Sequence, residues 1–352
     1  MIYYLIALNT LICMLNRTTA FFCPFVLTFF NLLLFTSSII ILLNKKMKIK
    51  EIYLFIFSIC LLFLTKRLYI SLILILSLVI NIRDINKYYK INLFFLSVCL
   101  FLIIVLVKFN LIKNLTWIYN IYGYTGVQVR QGLGFINPNF PSLIFWIIRI
   151  SFYYIKYEKL RYYHFFIFWI LTLALYYQVY SRTMILIFIL EIILYYFLKG
   201  FYKHLKNFLK FIPILHVIFT FLIIFFFKET ALDRIFSYRL VYSYEFLKTL
   251  NIFKIIFGDR NNFKLALDNS YISLFHDYGI LVLILMTFLL SFGMKNLILY
   301  ESKEKSQKII FIFLIYLFYS MSEAILFSPY FSFIIILLIK YSYLRKKVCN
   351  GR

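Results

Sequence analysis

Long apolar stretches are the feature of this 352-residue chain that most restricts its fold. Residues 21–43 contain no charged side chain, and residues 311–326 contain a single one, Glu323. An α-helix needs about 20 apolar residues to cross the hydrocarbon core of a bilayer. Hydrophobic residues make up 64% of the chain and charged residues only 14%, which excludes a soluble single-domain enzyme. The sequence therefore predicts an all-α, polytopic bundle of transmembrane helices.

The apolar runs predict ten to twelve spans in one integral membrane domain over residues 1–352. The runs lie at 2–15, 21–43, 52–65, 68–82, 91–108, 138–155, 162–180, 184–198, 211–227, 270–291, 309–323 and 330–344. Only Lys66 and Arg67 separate the short third and fourth runs, so a single kinked or re-entrant pair is the alternative there. The first run lacks the basic start and cleavage site of a signal peptide, and we interpret it as a retained membrane helix.

The polar breaks between the runs carry most of the 38 Lys and Arg residues, against 13 Asp and Glu. Breaks 44–51, 82–90, 156–161, 199–210, 292–308 and 345–352 hold 22 basic residues, whereas the alternate short breaks hold six. Because short cytoplasmic loops are enriched in Lys and Arg, the first set and both termini are predicted to be cytoplasmic. Residues 228–269 then form one longer extracytoplasmic loop. The same rule explains the net charge of +25 without a nucleic-acid partner, for which the chain offers no soluble basic domain.

Motifs for metals, disulfides and nucleotides are missing from the sequence. The five cysteines form no C-x-x-C pair or Cys/His cluster, so neither a zinc site nor a disulfide framework is predicted. There is no P-loop, dinucleotide fingerprint, zinc-protease motif or nucleophile elbow, and no Asp-x-Asp pair for a divalent metal. We expect no metal and no cofactor, so arginines and helix N-termini must hold any phosphate bound outside the membrane.

The predicted outer segment before the sixth run carries an arginine, a glycine turn and a helix start: Arg130, Gly134, Asn137, Pro138 and Asn139. Glycine permits tight backbone, and the residue before a proline disfavours helix. Asn137 is thus predicted as the N-cap and Pro138 as the first helical position. A helix N-terminus beside an arginine makes an anion site, although a helix start with an interfacial arginine explains the same motif.

Two further arginines lie in breaks that the charge rule places on the same outer face as Arg130. Arg182 interrupts two apolar runs in a Ser-Arg-Thr sequence, where a guanidinium must snorkel, pair or face an aqueous cavity. No acid lies nearby in the sequence, so a phosphate is one candidate partner and snorkelling is the alternative. Arg239 lies in the long outer loop.

Polar residues at the ends of the tenth and eleventh runs are further candidates. Asp268, Asn269 and Ser270 precede a long apolar run and mark a helix start, which capping alone also explains. His276 follows Asp268 by eight residues, roughly on the same side of a helix, and Glu323 ends the eleventh run. Ionisable residues at membrane depth are functional candidates, although structural hydrogen bonds are their commoner fate. No role is assigned to four residues predicted at mid-membrane or on the inner half: Glu191, His164, His204 and His216.

These motifs follow one another in a fixed order. They are Arg-x-x-Leu-Gly-Phe-x-Asn-Pro-Asn (130–139), Ser-Arg-Thr (181–183), Tyr-Arg-Leu (238–240), Phe-Gly (257–258), Asp-Asn-Ser-Tyr (268–271), Tyr-Gly-Ile (278–280) and Ser-Glu-Ala (322–324). In order and spacing the series resembles the Wzy-type polymerases of O-antigen and capsule repeat units, which are related to the O-antigen ligases. The resemblance covers about the last two-thirds of the chain. Gln131 and Gly132 stand where a small hydroxyl residue is expected, Asn137 stands where histidine is also common, and the outer loop is rather short.

The resemblance implies a membrane glycosyltransferase that lengthens undecaprenyl-pyrophosphate-linked oligosaccharides at the outer leaflet of the bacterial cytoplasmic membrane. The growing glycan would pass from its lipid pyrophosphate to the non-reducing sugar of a fresh lipid-linked unit, with inversion and without a metal. The pyrophosphate binders would be Arg130, Arg182 and Arg239, and the candidates for a general base are Asp268, His276 and Glu323. Further substrate contacts would come from Gly134, Asn137, Asn139, Asn269 and Tyr271. Tyr124, Tyr238 and Tyr271 are candidates for stacking on sugars, with the interfacial aromatic belt as the alternative.

Two other functions share much of this pattern. An O-antigen-ligase-like transferase would use the same chemistry and deliver finished glycan to a different acceptor. A flippase for lipid-linked oligosaccharides needs a central cavity and alternating access, and such transporters often have repeated halves, which this sequence lacks. The expected partners are the lipid-linked oligosaccharide and the bilayer, with a chain-length regulator and a flippase as candidate protein partners.

Overall fold

The computed structural model describes residues 2–21, 23–120, 127–230, 233, 239–259 and 267–344. Over these residues the chain is mostly helical with almost no sheet, which confirms the predicted all-α class. The described α-helices are α1 (Ile2–Leu15), α2 (Pro24–Leu43), α3 (Ile49–Thr65), α4 (Leu68–Val79), α5 (Ile85–Lys108), α6 (Asn139–Lys156), α7 (Tyr162–Val179), α8 (Arg182–Leu209), α9 (Ile212–Phe227), α10 (Arg239–Lys248), α11 (Ile252–Phe257), α12 (Ser270–Tyr300), α13 (Lys303–Ser320) and α14 (Phe333–Tyr343). One antiparallel hairpin joins α5 to α6, with strands β1 (Thr116–Asn120) and β2 (Val127–Gln131).

Several helices are apolar enough to cross a membrane, as expected of a membrane protein. Within the described ranges, four such helices have at least 18 residues: Phe25–Leu43, Ile82–Lys108, Arg182–Leu209 and Ser270–Tyr300. Four shorter apolar helices accompany them: Ile2–Leu15, Leu68–Val79, Ile212–Phe227 and Phe333–Tyr343. Large apolar side chains such as Phe63 and Phe226 are more than 70% exposed, which is typical of a surface that faces lipid. The number of crossings and the side on which each loop lies stay predictions.

The helix bounds differ from the predicted spans in several places. Helices α8 and α12 run on to Leu209 and Tyr300, because the Lys, Leu and Met residues beyond the apolar run are good helix formers. The predicted outer loop contains the two short helices α10 and α11. The third and fourth runs form two helices that pack together across a turn at Lys66, whose φ is 56°.

The helices group into two compact units. The first comprises Met1–Ile40 and Asn81–Ile193, and the second comprises Ile41–Ile80 and Leu194–Arg352. In the first unit α5 packs along α6, where the rings of Tyr89 and Tyr154 stack with centroids 3.9 Å apart. In the second unit every residue of α4 from Ile70 to Leu78 is buried, which explains why this run is apolar without helical periodicity.

Gly293 of α12 allows a close approach to α14 in the second unit. A Cβ atom on Gly293 would overlap the backbone carbonyl of Leu338. Small residues at such crossings let helix backbones pack closely in membranes. We expect Gly293→Ala to lower the free energy of unfolding by about 1–3 kcal/mol, measured by denaturant unfolding in detergent.

Gly200 of α8 is the matched control, because a Cβ atom there meets nothing within 4 Å. Gly200→Ala is expected to raise the free energy of unfolding by about 0.5–1 kcal/mol through helix propensity alone. If both variants were stabilised equally, the close approach at Leu338 would be wrong.

Candidate functional site

A cluster of three ionisable residues in the second unit is centred on Arg239, the first residue of α10. Its Nε lies 3.0 Å from Oδ2 of Asp268 in an ion pair, and its Nη2 donates to Oε1 of Glu323 at 3.2 Å. The Arg239 side chain is only 14% exposed, whereas Asp268 is 35% exposed and Glu323 21%. The structure thus brings together three predicted site residues that lie far apart in the sequence, and their carboxylates remain accessible to a ligand.

Asn269, rather than Asp268, caps the N-terminus of α12. The Asn269 Oδ1 accepts hydrogen bonds from the backbone N–H groups of Tyr271 at 3.0 Å and Ile272 at 3.2 Å. An N-cap side chain satisfies donors that the first turn leaves without an intrahelical partner. Capping therefore accounts for Asn269, whereas the carboxylate of Asp268 is directed to Arg239.

Ser270 links the start of α12 to the irregular segment 321–332. Its hydroxyl donates to the backbone carbonyl of Glu323 at 2.8 Å and accepts a hydrogen bond from the N–H of Leu326 at 3.0 Å. These two bonds hold the backbone of Glu323 beside the helix start. They consequently set the position of the Glu323 carboxylate in the arginine cluster.

Tyr271 lies behind this helix start and is fully buried, so its ring offers no exposed face to a sugar. It packs against His216 of α9, with ring centroids 5.4 Å apart. Neither the Tyr271 hydroxyl nor either ring nitrogen of His216 has a hydrogen-bond partner among the described residues. Burying a polar group without a hydrogen-bond partner lowers the stability of the fold by about 1–3 kcal/mol. Tyr271 and His216 therefore destabilise the second unit locally, beside the Arg239 cluster.

His276 takes part in a second charged network along α12. Its Nδ1 lies 2.7 Å from Oδ1 of Asp277, and Asp277 pairs with Arg67 from the turn between α3 and α4. The backbone N–H of Asp259 donates to the carbonyl of His276 at 2.6 Å, and the Asp259 carboxylate pairs with Lys254 at 2.7 Å. Burial lowers the pKa of Arg67, which nevertheless stays charged over any pH at which proteins fold. The carboxylate that orients His276 is therefore Asp277, its neighbour in the chain.

Two glycines shape this second network. Gly279 breaks α12 with φ 80° and ψ 177°, and Gly258 also has φ 80°. A Cβ atom on Gly279 would overlap the carbonyl of Ile256, and one on Gly258 would lie 2.6 Å from the carbonyl of His276. The end of α11 thus packs directly into the break in α12. This packing explains the Phe-Gly and Tyr-Gly-Ile motifs of the sequence.

Arg130 lies in the first unit, on β2, between the start of α6 and the end of α7. Its Nε donates to the carbonyl of Val179 at 2.7 Å, and its Nη2 donates to Oδ1 of Asn139. The predicted cap is off by one residue, because α6 begins at Asn139 and Pro138 already has helical angles at the N-cap position. The Asn137 side chain accepts a hydrogen bond from the N–H of Asn139 at 2.8 Å, so it still satisfies a backbone donor at the start of α6.

Arg182 is exposed and begins α8, three positions beyond the Val179 carbonyl that Arg130 binds. No carboxylate pairs with Arg182 among the residues that the structure describes. Arg130 and Arg182 therefore place two guanidinium groups near the junction of α7 and α8.

Gly134 is needed for backbone packing in the same unit. Its φ is 85°, and a Cβ atom there would lie 2.8 Å from Val107. Its carbonyl accepts a hydrogen bond from the N–H of Thr19 at 2.9 Å. Gly134 thus supports the turn that leads into α6, and its carbonyl is already engaged within the protein.

Sequence reasoning misses a buried ion pair in the first unit. Nη2 of Arg149 on α6 donates to Oε1 of Glu191 on α8 at 2.9 Å, and Nη1 donates to the Thr172 hydroxyl on α7 at 2.9 Å. Neither charged side chain has exposed surface. Each is a charge inside an apolar run, and that is the signal that points to both residues.

The remaining candidates and the comparisons complete this description. Tyr124 and Tyr238, predicted to stack on sugars, lie outside the described residues. In the described ranges no group of three or more His, Cys, Asp or Glu side chains is placed to hold a metal ion. No protein-family model, curated protein or solved structure significantly matches this chain. Its function must therefore be argued from its own motifs and geometry.

Proposed function

We propose that this chain is a membrane glycosyltransferase that polymerises oligosaccharide repeat units carried on undecaprenyl pyrophosphate, as expected of the Wzy-type polymerases that its motifs resemble. The product would be O-antigen or capsule polysaccharide, made at the outer leaflet of the bacterial cytoplasmic membrane. The observation that carries the proposal is the Arg239 cluster. It presents two carboxylates and a guanidinium at the N-terminal end of a long apolar helix.

The proposed reaction moves a glycan from one lipid carrier to another sugar. The oxygen of the acceptor hydroxyl bonds to the anomeric carbon of the donor glycan, and the bond from that carbon to the pyrophosphate oxygen breaks. The hydroxyl proton passes to a carboxylate of the protein, and the lipid pyrophosphate leaves with the bonding electrons. Negative charge builds on the leaving group, and preorganised guanidinium groups in a partly dry site stabilise such charge.

Each unit contains an arginine group of its own. The Arg239 cluster combines one guanidinium with two carboxylates, which disfavours binding of a diphosphate there because like charges repel. Arg130 donates to the Val179 carbonyl at the end of α7 and to the Asn139 side chain at the start of α6. As the resemblance implies, we assign pyrophosphate binding in the first unit to Arg130, beside the helix start at Asn139, and to Arg182 at the start of α8.

Arg239 retains a share in substrate binding. A guanidinium has five N–H donors; Nη2 donates one to Glu323, and Nε lies 3.0 Å from Asp268 in an ion pair. Among the described residues its side chain makes no further hydrogen bond, so oxygens of the sugar or of the phosphate could accept from the remaining donors. The general base is then Asp268 or Glu323, and the oriented pair of His276 and Asp277 is the alternative.

Deletion of the gene in its native organism tests the proposed function. We expect the ladder of long surface glycan to disappear on a gel while a species capped with one repeat unit remains. Mass spectrometry of extracted lipids should show that single-repeat lipid-linked units accumulate at the outer leaflet. A plasmid copy of the gene should restore the ladder.

Each other outcome identifies a different function. Long glycan that stays on its lipid carrier indicates a ligase, and single-repeat units trapped at the inner leaflet indicate a flippase. An unchanged ladder in the deletion strain would refute the proposal.

A further inference from the structure

Three helices of the first unit are joined by one buried guanidinium. Arg149 of α6 reaches Glu191 on α8 and Thr172 on α7, each at 2.9 Å. The rings of Phe145 and Phe188 flank the guanidinium, with centroids 5.3 and 4.9 Å away. Because the ion pair has no exposed surface, a dissolved ligand cannot reach it. Its action must therefore pass through the helices that it joins.

The same three helices have ends that meet the Arg130 and Arg182 group. Arg130 binds Asn139 at the start of α6 and the Val179 carbonyl at the end of α7, while Arg182 begins α8. Counted along each helix from these ends, Arg149, Thr172 and Glu191 lie ten, seven and nine residues away. At a rise of 1.5 Å per residue, Arg149, Thr172 and Glu191 lie about 15, 10 and 14 Å from the ends of their respective helices. The interaction of Arg149 thus joins α6, α7 and α8 at a similar distance from the helix ends near Arg130 and Arg182.

We infer that Arg149 and Glu191 are positioning residues, which set the relative register of α6, α7 and α8 and thereby aim Arg130 and Arg182 at the substrate. The inference rests on the proposed function for its substrate, a lipid pyrophosphate. Arginine suits the task because its planar fork makes two directed bonds to different helices, which a lysine cannot reproduce. Misplacement of a binding group by about 1 Å lowers a catalysed rate by roughly 10²-fold.

Positioning differs from simple stabilisation in a testable way. Removing one partner of a buried ion pair strongly destabilises a fold, whereas replacing both partners by apolar side chains of similar volume often does not. The double variant R149M/E191L therefore separates the two roles. Thr172→Val releases α7 alone. Ser151→Ala is the matched control, because Ser151 is a buried hydroxyl on α6 that bonds Asn92 of α5 at 3.4 Å instead.

Spin-label distances measure the register without reference to activity. The full chain, with its native cysteines replaced, is labelled in nanodiscs at Leu186→Cys together with Tyr177→Cys or Asn137→Cys, three exposed positions near the helix ends. We expect narrow distance distributions for the parent and for Ser151→Ala. R149M/E191L should broaden both, and Thr172→Val should broaden only the distance between 177 and 186. If R149M/E191L fails to fold, Arg149→Lys is measured in its place. Arg149→Lys should broaden the distance between 177 and 186.

A transfer assay then links register to function. The substrate is the single-repeat lipid-linked unit extracted from the deletion strain, and the readout is the rate at which longer chains form. We expect R149M/E191L to lower this rate about 10²-fold while the thermal midpoint of unfolding stays within a few degrees. Unchanged distances in the folded double variant would overturn the inference, as would broadened distances with a normal rate. An inactive parent would refute the proposed function, and the distances would still decide whether the pair sets the helix register.

Discussion

Arg239→Ala is expected to abolish long glycan chains and leave single-repeat lipid-linked units in a membrane that still contains the protein. The substitution removes the cation that holds Asp268 and Glu323 together, at 3.0 and 3.2 Å. Two carboxylates without their cation repel each other, so the base is displaced and the leaving pyrophosphate loses a charged donor. Loss of one preorganised donor costs about 10²–10³ in rate. The measurement is the chain-length distribution of surface glycan, beside an immunoblot of the membrane fraction.

Two further arginine variants show whether the loss of long glycan chains is specific to the predicted site. Arg182→Ala is also expected to abolish long glycan chains. The substitution removes a guanidinium near Arg130, and no carboxylate among the described residues pairs with Arg182. Arg161→Ala is the control, because Arg161 precedes α7 at its other end, and its hydrogen bonds among the described residues run from its backbone to His164. An unchanged chain-length distribution in both Arg239→Ala and Arg182→Ala would contradict the proposed mechanism.

Asp268→Asn and Glu323→Gln test which carboxylate accepts the proton. Each amide keeps the size of the carboxylate and can still accept a hydrogen bond from Arg239, but it cannot act as a base. Removing a general base costs about 10²–10⁴ in rate. We expect that loss in kcat for one of the two variants and a smaller effect for the other. The assay is the initial rate of chain extension in nanodiscs with extracted single-repeat units.

The second network supplies the comparison for this experiment. His276→Gln removes the imidazole that Asp277 orients at 2.7 Å, without touching the Arg239 cluster. We expect it to retain most of the transfer rate. The reverse pattern, with transfer lost in His276→Gln and retained in both amide variants, would move the base to the pair of His276 and Asp277.

The sequence predicted the helices better than their ends. Apolar runs located the helices, because burial in lipid or protein demands apolar residues whatever the neighbours are. The predicted ends of α8 and α12 were wrong, because good helix formers continue both helices beyond the apolar run. The break at Gly279 and the packing of Gly258 into it depend on contacts between α11 and α12. A single glycine in a helical pattern does not distinguish such a break from an ordinary helical position.

The candidate site was predictable in part. Sequence reasoning selected Arg239 as an arginine of the long outer loop, and Asp268 and Glu323 as acids at the ends of apolar runs. It did not predict that one guanidinium bonds both carboxylates, because Asp268 also had a sufficient explanation as a helix cap. The structure removes that ambiguity by giving the cap to Asn269.

What the sequence determined by itself is the class of this protein: an all-α chain whose apolar helices suit a bilayer. Run length and composition are properties of the chain alone, and no tertiary contact is needed to interpret them. Only the tertiary structure decided which charges meet, Arg239 with two carboxylates and Arg149 with Glu191. Such pairs depend on where helices cross and in what register, and the packing of many side chains sets both.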